Sequence, residues 1–381
     1  MLETPPLSLY VHIPWCVRKC PYCDFNSHQL RDNMPEADYV AALCGDLAYE
    51  VERLETKAPL TSIFIGGGTP SLFKGKSYGK LFYAVDQLLG INADCEITLE
   101  ANPGTVDAEN FRAFRDAGIN RLSLGIQSFD DDKLKSLGRI HGGDEAKRAI
   151  DIARGAGFEN FNLDLMFGLP EQKVSQAIRD LQTAIGFEPT HISWYQLTIE
   201  ANTEFHSRPP KLPPEPAIVE LQDEGIALLA DLGFDRYEVS AFAQQGKRAA
   251  HNMNYWEFGD YIGIGAGAHG KVSHVAANRI VRTRKKKQPD HYLAATLNRD
   301  AERVEVTMPE RPFEFLLNAL RLRHGFEVSL FEKRTGVTFS EIEKKVDLMV
   351  SQGLLVLESG RLSTTERGYR VLNSILEEFL D

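Results

Sequence analysis

Six times along the first two-thirds of the chain, a short apolar run of strand-forming residues gives way to glycine or proline and then to an amphipathic helical stretch, and few folds accommodate that rhythm. The runs are LSLYVHI, SIFIGGG, EITLEAN, RLSLGIQ, NFNLDLM and HISWYQL. After the first, Val40, Leu43, Leu47, Val51 and Leu54 recur at helical spacing, and 76–90, 107–117, 144–157, 173–186 and 215–232 also read as helices. Strands joined through helices pair in parallel, so the fold is α/β. Six units fall short of a closed eightfold barrel and suit an open, partial (β/α)6 barrel, with a doubly wound sheet as the alternative. In either architecture, residues that carry chemistry collect where strands end and loops begin.

After GIGAGAHG the rhythm stops. RTRKKKQPDHY is basic and aperiodic, so a boundary is expected near residue 285, dividing 1–284 from 285–381. The tail reads as helix (SEIEKKVDLMVSQG), hairpin (LLVLESGRLSTT) and helix (ERGYRVLNSILEEFL), a small α+β module of winged-helix type. Such modules often bind DNA, but EIEKK and LEEFL are acidic and the formal charge of −11 opposes counterion-driven binding to phosphate backbones. The module is therefore read as a packing or partner-binding element, with no nucleic acid expected. Arg282 to Lys287 reads as a solvated linker, with an anion-binding run as the alternative. No apolar run reaches membrane-spanning length, and MLETPPLSLY has neither a basic start nor an apolar signal core, so a cytoplasmic protein is expected.

Three of the five cysteines crowd the loop directly after the first strand, in HIPWCVRKCPYCDF, while Cys44 and Cys95 stand alone and read as packed small hydrophobes. That distribution suits a metal site rather than a disulfide framework. Cys16, Cys20 and Cys23 can each hold one iron of a [4Fe–4S] cluster, leaving the fourth iron open to a chelating substrate or cofactor. A zinc ion completed by His12 or His28 is the alternative, although zinc ligands usually come in separated pairs.

Polar groups recur at the later strand ends. IGGGTPS closes the second strand with Gly66, Gly67, Gly68 and Thr69, and successive glycines let backbone amides approach a ligand closely. Glu100 follows in LEANPG, Gln127 in GIQSF, Arg139 in LGRIHG and Asp164 in LDLMFGLP. The Cys-x3-Cys-x2-Cys loop with an aromatic before its last cysteine resembles the radical S-adenosylmethionine (SAM) signature. YVHIPWC, GGGTP, EANPG, GIQSF, LGRIH and NLDLMFGLP together resemble the oxygen-independent coproporphyrinogen III oxidase family over nearly the whole chain. That resemblance implies a [4Fe–4S] cluster and SAM as cofactors, with the glycine loop on the methionine amino group. It implies that Tyr10, Gly67, Glu100 and Asp164 lie around SAM, and that Tyr22, Gly68, Thr69, Gln127 and Arg139 match the neighbouring site of a second SAM.

Two departures separate the chain from those oxidases. They carry a further cysteine two residues past the third cluster cysteine, where this chain has Phe25, and they lack HNMNYW at 251–256, which is similar to the motif of the family's haem-chaperone branch. A neutral imidazole is a common axial ligand of haem iron, so His251 is the expected metal ligand, with Asn252 orienting its ring, Tyr255 and Trp256 as flat walls and His269 as the rival ligand. The haem is expected near the barrel mouth. The resemblance thus implies a carrier that delivers haem to acceptor proteins, membrane-associated respiratory proteins among them. The competing readings are a coproporphyrinogen oxidase and, against the acidic balance, a nucleic-acid-modifying radical enzyme.

Overall fold

The computed structural model describes residues 1–30 and 33–380. The six expected runs form β1 (Leu7–Ile13), β2 (Leu60–Gly67), β3 (Ile91–Ala101), β4 (Arg121–Gln127), β5 (Phe161–Phe167) and β6 (His191–Gln196), all parallel to one another. The helices that return the chain are α1 (Glu36–Val51), α2 (Gly75–Leu88), α3 (Ala108–Ala117), α4 (Gly143–Gly155), α5 (Val174–Ile185) and α6 (Glu215–Asp231), as the periodicity predicts. Local chemistry sets their ends: α3 starts where Asp107 accepts the Asn110 N–H at 2.8 Å and stops at Gly118, whose φ of +110° suits glycine.

The sheet does not end with these six strands. Beyond β6 lie β7 (Asp235–Arg236) and β8 (Ala241–Ala243); beyond β1, past helix α7 (Ala250–Trp256), lie β9 (Asp260–Ile264), β10 (His269–His274), β11 (Arg279–Lys285) and β12 (Asp300–Val306). Among the described residues the order is β12-β11-β10-β9-β1-β2-β3-β4-β5-β6-β8-β7, an open barrel that never closes on itself. β9 joins β1 in parallel, and the outer strands run antiparallel.

Each barrel strand has two unlike faces. Leu7, Leu9, Val11 and Ile13 of β1, with Ile63, Ile65, Ile97, Leu99, Leu122 and Leu124, belong to one apolar core shared with the helices. The alternate residues line up across the register as Ser8, Ser62 and Glu96, and as Tyr10, Phe64 and Thr98. Further round the sheet, Glu100 is paired with Ser123, and Asn162 with His191. Burying each outer aliphatic side chain contributes about 1.5–3 kcal/mol, so the sheet-to-helix layer holds the fold together while the lumen is left to polar groups.

The basic run is not a solvated linker. Arg282 to Lys285 lie in β11, and the fully buried Lys285 ammonium reaches Asp46 at 2.7 Å, Glu50 at 2.6 Å and Asp300 at 2.8 Å. A charge enters a protein interior only with its partners, and these come from α1 and β12, far away in sequence. Position 285 is thus the last residue of a strand whose partner extends the sheet to Val306. A second core, built around Phe315, Phe326, Phe331, Val346 and Leu355, follows. In that module the helix Ser340–Ser351 leads to the hairpin of Leu355–Glu358 with Arg361–Thr364, and the last helix is divided at Val371.

Candidate functional site

The C-terminal ends of β1 to β6 surround a cavity of about 450 Å3. Cys16, Cys20 and Cys23 line it together with Tyr22, Gly67, Gly68, Thr69, Glu100, Gln127, Arg139 and Asp164. The cysteine loop is tied to the glycine turn by backbone bonds: Gly68 N–H donates to Ile13 O at 2.7 Å and Thr69 N–H to Trp15 O at 2.8 Å. A Cβ on Gly68 would meet Trp15 O at 2.5 Å, so only glycine permits this approach. Gln127, a non-glycine residue at φ +69°, is held in that strained conformation at the end of β4, where its Oε1 accepts the Tyr195 hydroxyl at 2.8 Å.

All three thiols are free, and burial pushes those of Cys16 and Cys23 above their ordinary range, so they stay protonated until a metal displaces the proton. Arg139 lies 3.7 Å from Cys20 Sγ while donating to Asn102 Oδ1 and to Gly125 O at 2.7 Å. Three unbridged thiols, one beside a fixed guanidinium, match the donor set of a cluster with one open iron. Zinc does not fit. His12 Nε2 is bonded to Asn26 O at 2.9 Å and its Nδ1 to the Tyr10 hydroxyl at 2.7 Å, and among the described residues no three His, Cys, Asp or Glu side chains converge on one ion.

Two carboxylates face the same cavity. Burial, with Asp164 adding to it and the Gly67 N–H at 3.1 Å opposing, pushes Glu100 up to about 8. Asp164 is likewise raised by burial while accepting Ser123 Oγ at 2.9 Å and Asn162 Nδ2 at 2.8 Å. Such a pair suits a ligand bearing positive charge, as an ammonium or sulfonium does. The sign of the pH effect follows. A carboxyl raised from 4.5 to about 8 imposes no cost on the ligand-free fold below pH 4.5 and costs stability progressively as pH climbs toward 8. The cost at pH 7 is on the order of 2–3 kcal/mol after allowing for screening by cavity water. Glu100→Gln is accordingly expected to raise the ligand-free melting temperature by several degrees at pH 8 and little at pH 4.5, measured by calorimetry. An equal gain at both values would contradict this electrostatic account.

HNMNYW forms α7, and it does not sit at the barrel mouth. Its first turn rests on Glu96, which shares a face of β3 with Glu100 but lies four residues earlier, roughly 13 Å deeper in the lumen. Glu96 accepts the Ala250 N–H at 3.0 Å, the His251 N–H at 3.3 Å and His251 Nδ1 at 2.8 Å. The buried His251 ring stacks on Phe64 at 4.2 Å and 14°, and Phe64 stacks on Tyr10 at 6.0 Å. Tyr10, Phe64, Tyr255, Trp256, Tyr261 and His269 line a second cavity of about 300 Å3, together with Lys271 and Arg282. Asn252 does not orient His251. It donates to the Tyr237 hydroxyl at 3.0 Å, starting a buried chain that continues through His191 at 2.9 Å and Asn162 at 2.7 Å to Asp164 at 2.8 Å.

Residues 10–184 match the radical SAM superfamily and residues 306–371 the HemN C-terminal domain. Over 380 residues, all of both chains, the sequence is 49% identical to the Escherichia coli K12 protein named heme chaperone HemW. The chain belongs to the HemW family. It is also 33% identical to the Bacillus subtilis heme chaperone HemW over 98% of this chain and 99% of that one. A third relative, at 35% identity over 98% of this chain and 87% of its own, is bovine radical S-adenosyl methionine domain-containing protein 1, mitochondrial. The solved coproporphyrinogen III oxidase (HemN) of Escherichia coli superposes with a TM-score of 0.82 over 99% of this chain and 90% of its own, and at 21% identity that shows the fold alone. As a radical SAM protein of the HemW family, the chain has a [4Fe–4S] cluster and SAM as its cofactors.

For the HemW family site, the structure brings nearly all the mouth residues together and sets two apart. Tyr10 turns toward Phe64 and the second cavity, and Gly66 backs onto Phe64 and the Glu100 carboxyl, 3.1 Å from where a Cβ would stand. Glu96, Arg121 and Asn102 were missed by sequence reasoning. The spacing of Glu96 and Glu100 on one strand was the available signal, since even spacing puts both on one face.

Proposed function

We propose that the chain is a haem chaperone, binding haem at His251 and passing it to acceptor haem proteins. One observation carries this reading: His251 is held neutral by burial, donates a hydrogen bond from Nδ1–H to Glu96 and, among the described residues, has no hydrogen-bond partner on Nε2, beside a cavity walled by aromatic rings. Cys16, Cys20 and Cys23 hold the cluster, and Gly67, Glu100 and Asp164 hold SAM at its open iron. Tyr22, Gly68, Thr69, Gln127 and Arg139 complete the mouth, Tyr255 and Trp256 flank the macrocycle, and haem lies beneath the SAM site rather than beside it. The acceptors are cytoplasm-facing haem proteins, respiratory ones at the membrane included; no helix among the described residues is long and apolar enough to cross a membrane.

The oxidase alternative is not favoured. Phe25 stands 59% exposed on the rim of the mouth cavity, where the oxidases carry their additional cysteine. The deciding experiment runs haem titration beside anaerobic incubation of the reconstituted protein with coproporphyrinogen III, SAM and a reductant. One haem per chain and no protoporphyrinogen IX is the expected result, and robust decarboxylation would reverse the assignment.

A further inference from the structure

One carboxylate sets the direction of the buried chain that runs from the mouth to α7. Asp164 is the acceptor at its end, so the Asn162 amide turns its Nδ2–H toward it, at 2.8 Å, and its Oδ1 away. That Oδ1 accepts from His191 Nδ1 at 2.7 Å, which puts the ring hydrogen on Nδ1. Burial, with the Arg121 guanidinium adding to it, holds His191 far below its ordinary range, so the imidazole is neutral and Nε2 keeps a lone pair. Nε2 accepts the Tyr237 hydroxyl at 2.9 Å, and the Tyr237 oxygen, its hydrogen already given to His191, accepts Asn252 Nδ2–H at 3.0 Å. Every donor from Asn252 onward therefore points toward Asp164. Asn162, His191 and Tyr237 are buried, and none of them lines either the mouth cavity or the aromatic cavity. Satisfying buried polar groups does not by itself require such head-to-tail alignment, and in an aligned chain each bond polarises the next.

We infer that this relay couples what the mouth holds to the seating of α7, the helix that carries His251. The charge on Asp164 is what aligns the donors. A cationic ligand that shares the carboxylate draws that charge toward the mouth, weakens the polarisation of each bond behind it and loosens the hold of Tyr237 on Asn252. Glu96 keeps the first turn of α7 in place through the Ala250 and His251 N–H groups, so the response is a loosening and not a release. By linkage, anything that tightens α7 opposes the cationic ligand by the same factor. The inference rests on Asp164 facing SAM, as proposed above, and it adds a line of communication from that site to a helix outside it.

In the cluster-reconstituted full chain without reductant, saturating SAM is expected to speed amide hydrogen exchange across α7 about two- to fivefold. Exchange across α3, on the outer layer, should not change. Tyr237→Phe removes a single hydroxyl from the middle of the relay and touches neither cavity. The variant is expected to bind SAM while its α7 exchanges at a rate that SAM no longer alters. The same response to SAM in Tyr237→Phe as in the unaltered chain would overturn the inference, as would bound SAM with no response of α7 in the unaltered chain. A second measurement needs no variant: nitrogen NMR of isotope-labelled histidine should find the His191 hydrogen on Nδ1, with its signal moving when SAM is added. A hydrogen on Nε2 would reverse the direction of the chain and overturn the inference too. If Asp164→Asn leaves SAM affinity untouched, the placement of SAM beside Asp164 fails and the inference falls with it. Failure of the relay alone shows instead as SAM bound through Asp164 with a silent α7, so the two failures are distinguishable.

Discussion

Replacing Cys16, Cys20 and Cys23 together with alanine abolishes the visible absorbance and low-temperature EPR signal of the cluster after anaerobic reconstitution, while far-ultraviolet circular dichroism is retained. The expectation rests on geometry. The loop carries no strand of the twelve-stranded sheet, and its cysteines face the mouth cavity, with Cys20 and Cys23 only half-buried. Their removal takes away every thiolate within reach, since Cys95 packs in the apolar core and Cys44 against it. SAM binding should fall with the cluster, because the methionine end loses its iron while Glu100 and Asp164 remain. Retained cluster absorbance in the triple variant would show that other residues ligate the iron.

The next largest effect is expected at His251. His251→Ala should shift the Soret band and weaken haem binding by a hundredfold or more, whereas His206→Ala, on a short helix above the barrel mouth and outside the aromatic cavity, should change neither. Removing the imidazole also leaves Glu96 buried with one bond fewer, at a cost of about 1–3 kcal/mol, so the melting temperature of haem-free protein should fall by several degrees. His269→Ala discriminates further. That residue is exposed at the edge of the same cavity, and if it were the ligand its loss, not that of His251, would move the spectrum.

What the sequence made legible was local. The six strands and their helices follow from periodicity, and the cysteine loop from spacing within eight residues, because both are encoded in neighbouring positions. What escaped depended on partners distant in the chain. Lys285 looks like one more charge in a basic run until Asp46 and Glu50 arrive from α1 to surround it. Asn252 looked like the natural companion of His251, being next to it, yet the companion is Glu96, 155 residues away. Nor was the depth of HNMNYW in the barrel visible, since it depends on which row of β3 receives the first turn of α7. The alternation within the strands was present in full, Glu96, Thr98 and Glu100 against Ile97, Leu99 and Ala101, but apolar runs drew the eye to one set only.

That alternation has an evolutionary consequence. Foldedness is written on one set of positions and ligand choice on the other, so drift in the lumen does not threaten the sheet-to-helix core. A lineage can exchange Phe64, Glu96 or Tyr10 for groups that suit another planar or charged molecule and still inherit Leu9, Ile63 and Leu99 unchanged. The same scaffold can therefore be recruited for carriage or for catalysis by substitutions spaced two apart, which explains in physical terms how one architecture is shared at 21% identity with an oxidase.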